Sequence, residues 1–231
     1  PVINHIISSL KDAKSKSNLC VINKDSSGIK KILDEEKVNH VYQIVLNGTA
    51  GAVKAALKKK AVSNNKILIL CGDIPFIKST SIKRIINKLK TYDAVVGTVE
   101  LESPKGYGRI IRSNNKFNSI IEEKETTASQ RLIKEVNTGI IAIHEKVLRE
   151  YISKIKNNNQ KKEYYLTDII KILVDNNKKV STFKFGNELE VAGVNSKTDL
   201  VNLEQRYLRQ KAENLLESGT LIRDPARTDI R

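Results

Sequence analysis

Residues 66–77 read K-I-L-I-L-C-G-D-I-P-F-I. Ile67 to Cys71 is an unbroken apolar run, bounded by Gly72 and Pro75. A run this short, apolar at every position, is the pattern of a strand inside a sheet covered on both faces. Gly72 lets the backbone turn without a Cβ clash, and Pro75 blocks continuation of the strand. The run stops on a carboxylate, Asp73. Ligands of open α/β sheets bind beyond the carboxyl ends of strands. An acid there can hold a hard cation such as Mg²⁺ through oxygen. An acid after a strand also serves simply to begin a turn, and this stretch alone leaves both readings open.

Before this strand, Val2, Ile3, Ile6, Ile7 and Leu10 recur at helical spacing, so the chain opens on a helix. Residues 18–23 and 38–45 read as strands with a short helix between them through Ile32 and Leu33. Residues 50–60 form a helix rich in alanine and lysine. After it come a helix over 79–90 and a strand over 93–101. This alternation predicts βαβ units and a parallel sheet. The rhythm then changes. Residues 108–112 and 116–122 flank Ser113-Asn114-Asn115 and predict a hairpin. A short helix near 128–132, a strand over 135–144 and a helix over 145–155 follow. Beyond a polar loop at 156–162, a helix over 166–175 is capped by Thr167 or Asp168, and 179–185 is a strand. Val191 to Val194 is a short apolar piece ending on Asn195. Residues 198–218 make one long helix, with Leu200, Leu203, Tyr207, Leu208, Ala212, Leu215 and Leu216 in a stripe, stopped by Gly219. The tail, 221–231, has neither period.

A chain of 231 residues suits one α/β domain with an appendage. Its formal net charge is +15. The lysines are scattered, as at 58–60 and 161–162, with no basic run interleaved with aromatics. That is solvated surface chemistry rather than a nucleic-acid interface. No segment has the apolar length of a membrane span and no signal peptide opens the chain, so no membrane partner is expected. Cys20 and Cys71 lie in strand-like runs and form no C-x-x-C pair. They read as buried free thiols of a cytoplasmic, reducing environment. His5, His40 and His144 form no motif, which argues against zinc.

Four stretches place polar groups beside glycine or at strand ends: Q-I-V-L-N-G-T at 43–49, Gly72-Asp73, Gly106-Tyr107-Gly108-Arg109, and the trio Glu122, Asn137 and Asn195. Each alone is compatible with ordinary turn chemistry. The phosphate-loop, dinucleotide and nucleophile-elbow motifs are absent. No serine or cysteine is set up as a nucleophile. A direct displacement, needing only positioning and charge neutralisation, fits better than covalent catalysis.

Taken in order, L-N-G-T-A-G-A (46–52), G-D-I-P-F-I (72–77), P-K-G-Y-G-R-I (104–110), I-I-E-E-K (120–124), E-V-N-T-G-I (135–140), E-Y-Y-L-T-D-I-I (163–170), E-V-A-G-V-N (190–195) and the tail R-D-P-A-R-T-D-I-R carry a resemblance along the whole chain. It resembles the N-terminal uridyltransferase domain of the bacterial bifunctional N-acetylglucosamine-1-phosphate uridyltransferase / glucosamine-1-phosphate N-acetyltransferase family. The resemblance implies a Rossmann-like nucleotidyltransferase fold: a mostly parallel central sheet with helices on both faces, a small β-hairpin subregion and a C-terminal linker helix. It implies Asp73 and Asn195 as Mg²⁺ ligands and Gln43, Gly48 and Thr49 at the uracil. Gly108, Glu122 and Asn137 would lie at the sugar, with Cys71 and Gly72 among the substrate-binding positions beside Asp73. The implied reaction joins UTP and N-acetylglucosamine-1-phosphate into UDP-N-acetylglucosamine and pyrophosphate, a cytoplasmic step toward peptidoglycan and lipopolysaccharide precursors. Acetylation of glucosamine-1-phosphate from acetyl-CoA and a homotrimer are implied through the family's β-helix domain.

On this resemblance, 1–197 is the transferase domain, 198–218 a linker helix and 219–231 the entry to the β-helix. The opening strand, the triphosphate loop and the principal catalytic lysine and arginine are expected ahead of Pro1, which leaves this stretch alone poorly stable and inactive. Two departures stand out: Cys71 replaces a tyrosine common in the family, and Ala50-Gly51 replaces Gly-His. The alternatives are another sugar-1-phosphate nucleotidyltransferase, a nucleotide-sugar-binding module without activity and, from charge alone, a nucleic-acid binder.

Overall fold

The computed structural model describes residues 1–59, 65–113, 116–159 and 161–225. The chain runs α1 (Val2–Asp12), β1 (Leu19–Ile22), α2 (Ser27–Glu35), β2 (Asn39–Tyr42), α3 (Thr49–Lys59) and β3 (Lys66–Ile69). Next come α4 (Ser79–Lys88), β4 (Ala94–Glu100) and the hairpin β5 (Arg109–Ser113) and β6 (Lys116–Ile121). The rest is α5 (Ala128–Arg131), β7 (Glu135–His144), α6 (Glu145–Tyr151), α7 (Asp168–Asp175), β8 (Val180–Lys184) and α8 (Lys197–Glu217). Lys60, Asn114, Asn115 and the tail from 226 lie outside the described residues.

The apolar run that begins with β3 has helices against both faces. Leu68 and Leu70 pack with Ile6, Ile82 and Ile85 of α1 and α4. Ile67 and Ile69 pack on the other face, with Leu148, Ile169 and Leu173 of α6 and α7. Successive side chains of a strand point to opposite faces, so an all-apolar run is what two apolar layers demand. Each fully buried side chain of this size contributes about 1.5–3 kcal/mol.

The sheet is mixed, a correction to the mostly parallel expectation. β7 runs antiparallel to β3, β4 and β5, whereas β8 is parallel to β4. β3, β4 and β8 therefore share one direction, with β7 inserted against it. An apolar run reads the same in both directions, so hydrophobicity carries no record of which way β7 points.

Three further expectations change. Residues 43–45 leave the strand, because β1 ends at Ile22, opposite Tyr42, and offers β2 no further partner; Ile44, Val45 and Leu46 are exposed. The apolar piece at 191–194 follows a 3-10 turn, Glu188–Val191, rather than forming a strand. Both cysteines are unpaired, but Cys20 is half-buried and Cys71 exposed.

β1 and β2 form a parallel pair apart from the main sheet. Between β1 and β3 lies a cleft of about 1390 Å³, lined by both strands and by α1, α3 and α4, including Ile6, Ile7, Val53, Leu57, Ile82 and Ile86. Helices bridge the two pieces: Ile6 of α1 packs on the main core, Ile7 on the β1–β2 side. At the far end of the chain, Tyr207 of α8 stacks on Phe76 with ring centroids 4.3 Å apart, tying α8 to the loop that leaves β3. No helix among the described residues is long and apolar enough to cross a membrane.

Candidate active site

β4 follows one edge of β7 along most of its length. β3 and β5 must then share the other edge. β3 pairs with residues 141–144 of β7, and β5 pairs at Val136. Between them the ladder opens, and the chain leaving β3 meets the chain entering β5. Gly139 lies in the opening with φ +76°, a conformation that glycine adopts without strain. Asn137 N–H donates to the Gly108 carbonyl at 2.8 Å, and Gly139 N–H to Asn137 Oδ1 at 3.1 Å. Cys71 Sγ would lie 3.0 Å from a Cβ built on Gly139. Although Cys71 reaches solvent, the protein packed around it and then the charge of Asp73 push its thiol up to about 11, so the sulfur is a neutral wall rather than a nucleophile.

Asp73 follows directly. Its carbonyl accepts Val194 N–H at 2.9 Å. A Cβ on Gly193 would lie 3.1 Å from Asp73 Oδ2 and 3.8 Å from Asn195 Nδ2, so both side chains border the space beside this glycine. Asp73 Oδ1 is buried without a hydrogen-bond partner among the described residues. An orphaned carboxylate oxygen is costly, and a cation beside it removes the cost. Asn195 is exposed and supplies a neutral oxygen. The pair therefore fits Mg²⁺, which takes one or two protein oxygens and completes its shell with phosphates and water. Among the described residues, no group of three or more His, Cys, Asp or Glu could hold an ion.

The segment that carries Asn195 is anchored ahead of it and behind it. Glu190, buried, accepts Lys78 N–H at 3.0 Å. Asp199 Oδ2 accepts Asn195 N–H at 3.2 Å and Ser196 N–H at 2.9 Å, closing a capping box with the Ser196 side chain at the start of α8. Sequence reading missed Asp199, although S-x-x-D at 196–199 is the capping-box pattern. Tyr107 sits in the same acid field. Burial raises its hydroxyl, and Asp73, Asp199 and Glu188 add to the effect, so it stays a proton donor.

The Gly108 carbonyl reaches Asn137, and a Cβ on Gly108 would lie 3.5 Å from Glu122 Oε2. Glu122 Oε1 accepts the Thr167 hydroxyl proton at 2.9 Å. The neighbouring Glu123 is spent differently, paired at 2.7 Å with the buried Arg109. Asp168 is pushed up to about 6, first by burial and then by Glu125 and Glu122, which marks this wall as acid-rich.

Gln43 Nε2 donates to the Gly48 carbonyl at 3.1 Å and to Asn47 Oδ1 at 3.3 Å, so its hydrogen bonds stay inside the turn. Gly48 has φ +102°, and a Cβ there would fall 2.6 Å from the Tyr164 carbonyl oxygen. No other residue fits. The Ala50-Gly51 departure is compensated locally: Ala50 is fully buried, and Asn47 Oδ1 fills the space a Cβ at Gly51 would need. Of the ten residues singled out from the sequence, Thr49, Cys71, Gly72, Glu122 and Asn137 line the cleft. Asp73 and Asn195 border the space beside Gly193, Gly108 meets Glu122 and Asn137, and Gln43 and Gly48 shape the turn that presents Thr49.

The profile of the nucleotidyl transferase family matches residues 1–189. Bifunctional protein GlmU of Marinobacter nauticus is 34% identical over 231 residues, an alignment covering 100% of this chain and 51% of that protein. The chain thus spans about half the length of the curated relative it matches. A solved structure described as a glucose-1-phosphate thymidylyltransferase from Bacillus anthracis, in complex with sucrose, has a TM-score of 0.68 at 18% identity, covering 99% of this chain and 87% of that one. UDP-glucose pyrophosphorylase complexed with UDP-glucose has a TM-score of 0.71 at 14% identity, covering 91% and 87%. At such identities the likeness is one of fold, the Rossmann-like α/β nucleotidyltransferase fold. With the profile matched over most of its length and a relative aligned along all of it, the chain belongs to the nucleotidyl transferase family.

Proposed function

We propose that this chain is the uridyl-transfer part of a sugar-1-phosphate nucleotidyltransferase, joining UTP and N-acetylglucosamine-1-phosphate. The observation that carries the reading is the convergence at the opening in β7. An orphaned Asp73 oxygen beside Asn195 lies on one side, and the Gly108–Glu122–Asn137 group on the other. The first set suits phosphates held with a metal, the second a ring of hydroxyls. The reaction is a direct displacement. An oxygen of the sugar phosphate attacks the α-phosphorus of UTP, a new P–O bond forms, and the bond to the β-phosphate breaks to release pyrophosphate. Bound between Asp73 and Asn195, Mg²⁺ would supply positive charge to offset that of the two phosphates. Glu122 accepts from sugar hydroxyls, the Asn137 amide supplies donor and acceptor, and the turn at 47–49 offers the base a glycine-flanked backbone.

We further propose residues 1–197 as the transfer domain and α8 as a linker helix, with 219–231 the entry to a β-helix. In the same proposal, the cleft between β1 and β3 takes the strand that the resemblance expects ahead of Pro1. Support comes from the cleft itself: a strand there would be covered on both faces by helices and paired on both edges. Unpaired backbone groups cost about 1–3 kcal/mol each once buried, so filling the cleft stabilises both flanking strands.

Three outcomes follow. Asp73→Asn in the full-length protein keeps the fold by circular dichroism, loses most uridyl transfer and loses UTP-dependent Mn²⁺ binding by paramagnetic resonance; wild-type values for both would contradict the metal assignment. Glu122→Ala raises KM for the sugar phosphate by about five- to hundred-fold, the equivalent of about 1–3 kcal/mol, and leaves KM for UTP nearly unchanged. Equal effects on both substrates would make Glu122 structural. Finally, residues 1–231 alone release no pyrophosphate from UTP and N-acetylglucosamine-1-phosphate, whereas the full-length protein does. Comparable activity in the two would refute the cleft-filling strand, and preference for another nucleotide or sugar in the full-length protein would reassign the substrates.

A further inference from the structure

The stretch 163–168, E-Y-Y-L-T-D, has no role in the reading above, yet it is bonded to both sides of the site. Tyr164 N–H donates to the Asn47 carbonyl at 2.8 Å, and its own carbonyl accepts Ala50 N–H at 2.9 Å. Its ring lies under Lys54 Nζ, 4.6 Å from the centroid. Leu166 N–H donates to Thr49 Oγ1 at 2.9 Å. One residue later, the Thr167 hydroxyl reaches Glu122.

Thr167 is the N-cap of α7, where a threonine hydroxyl ordinarily accepts a backbone N–H of the first turn. Here it makes no capping bond. Ile169 and Ile170 N–H bond instead to the Leu166 and Thr167 carbonyls. The hydroxyl carries a single proton, and that proton is aimed out of the helix at Glu122 Oε1. The other oxygen of Glu122 is left on the Gly108 side. Glu125 and Asp168 crowd the same wall with like charge, so an untethered Glu122 would be driven away from it.

We propose that Thr167 is a positioning residue, which holds Glu122 by Oε1 so that Oε2 meets a hydroxyl of the sugar phosphate, while the bonds of 164–166 set the span from that carboxylate to the nucleotide turn. The inference rests on the functional reading above and acts through Glu122. The test is steady-state kinetics on the full-length protein with Thr167→Val, Thr167→Ser and Glu122→Ala, alone and combined. Thr167→Val raises KM for the sugar phosphate about five-fold, the loss of one ordinary hydrogen bond, with KM for UTP unmoved. Thr167→Ser, which keeps the donor, restores the wild-type value. In the Glu122→Ala background Thr167→Val adds nothing, because the two act as one unit. Should Thr167→Val fail to fold, Thr167→Ala is read in its place. Wild-type KM values in the valine or alanine variant, equal rises for both substrates, or additivity with Glu122→Ala would each overturn the inference alone. A full-length wild type that neither turns over nor binds UTP and the sugar phosphate would overturn the functional reading, and this inference with it.

Discussion

One edge of β7 is shared by two partners, β3 and β5, and the site exists because neither of them covers the middle. Where β3 stops and β5 has not begun, the ladder bonds are replaced locally. Gly108 accepts from Asn137, the Asn137 side chain accepts from Gly139, and Thr138 Oγ1 accepts from Ile140 while donating to the Gly97 carbonyl. Buried backbone groups without partners would be costly, so the opening is held by its own side chains. Gly97, on the facing strand, has no room for a Cβ: Thr138 Oγ1 would lie 2.7 Å away and the Phe185 ring 2.8 Å. A single irregularity in register thus brings together two chain segments that are otherwise far apart in sequence, Cys71-Gly72-Asp73 and Gly106-Tyr107-Gly108.

Much of this was legible beforehand, for identifiable reasons. The apolar run at 67–71 predicts a doubly covered strand, and two helical layers do flank it, but the strand ends at Ile69 and Cys71 is exposed. Helix positions follow from period, and the turn at Gly72-Asp73, just beyond β3, follows from a glycine, an acid and a proline in four residues. What remained hidden was relational. Strand direction leaves no trace in hydrophobicity, so the antiparallel β7 had no signal. Ile44 to Leu46 looks like strand continuation, but a strand needs a partner, and β1 is too short to provide one. Residue type offers either Thr167 or Asp168 as the cap of α7, and Thr167 holds the N-cap place. The position is right, but the hydroxyl is used elsewhere. Gly193 reads as part of an apolar piece, whereas a Cβ there would crowd the Asp73 carboxylate at 3.1 Å.

The two sides of the site are joined by short-range bonds rather than by one rigid element. The turn at 47–49 is stapled to 164–166, Glu122 to Thr167, and Asn195 to Asp199 through the first turn of α8. Each hydrogen bond in these staples is worth about 0.5–1.5 kcal/mol net. Individually these are weak beside the core, but they fix orientation, on which a displacement reaction depends. The metal-suited pair is the sharper case: Asp73 Oδ1 is buried with no hydrogen-bond partner among the described residues, a local cost that stability alone does not explain.

The most direct measurement is a crystal structure of the full-length protein with UDP-N-acetylglucosamine and Mg²⁺. The account predicts metal density between Asp73 and Asn195, the sugar ring against Gly108, Glu122 and Asn137, and the base at the 47–49 turn. A nucleotide-sugar seated away from the opening in β7, or an Asp73 carboxylate that faces no metal in the filled site, would contradict it.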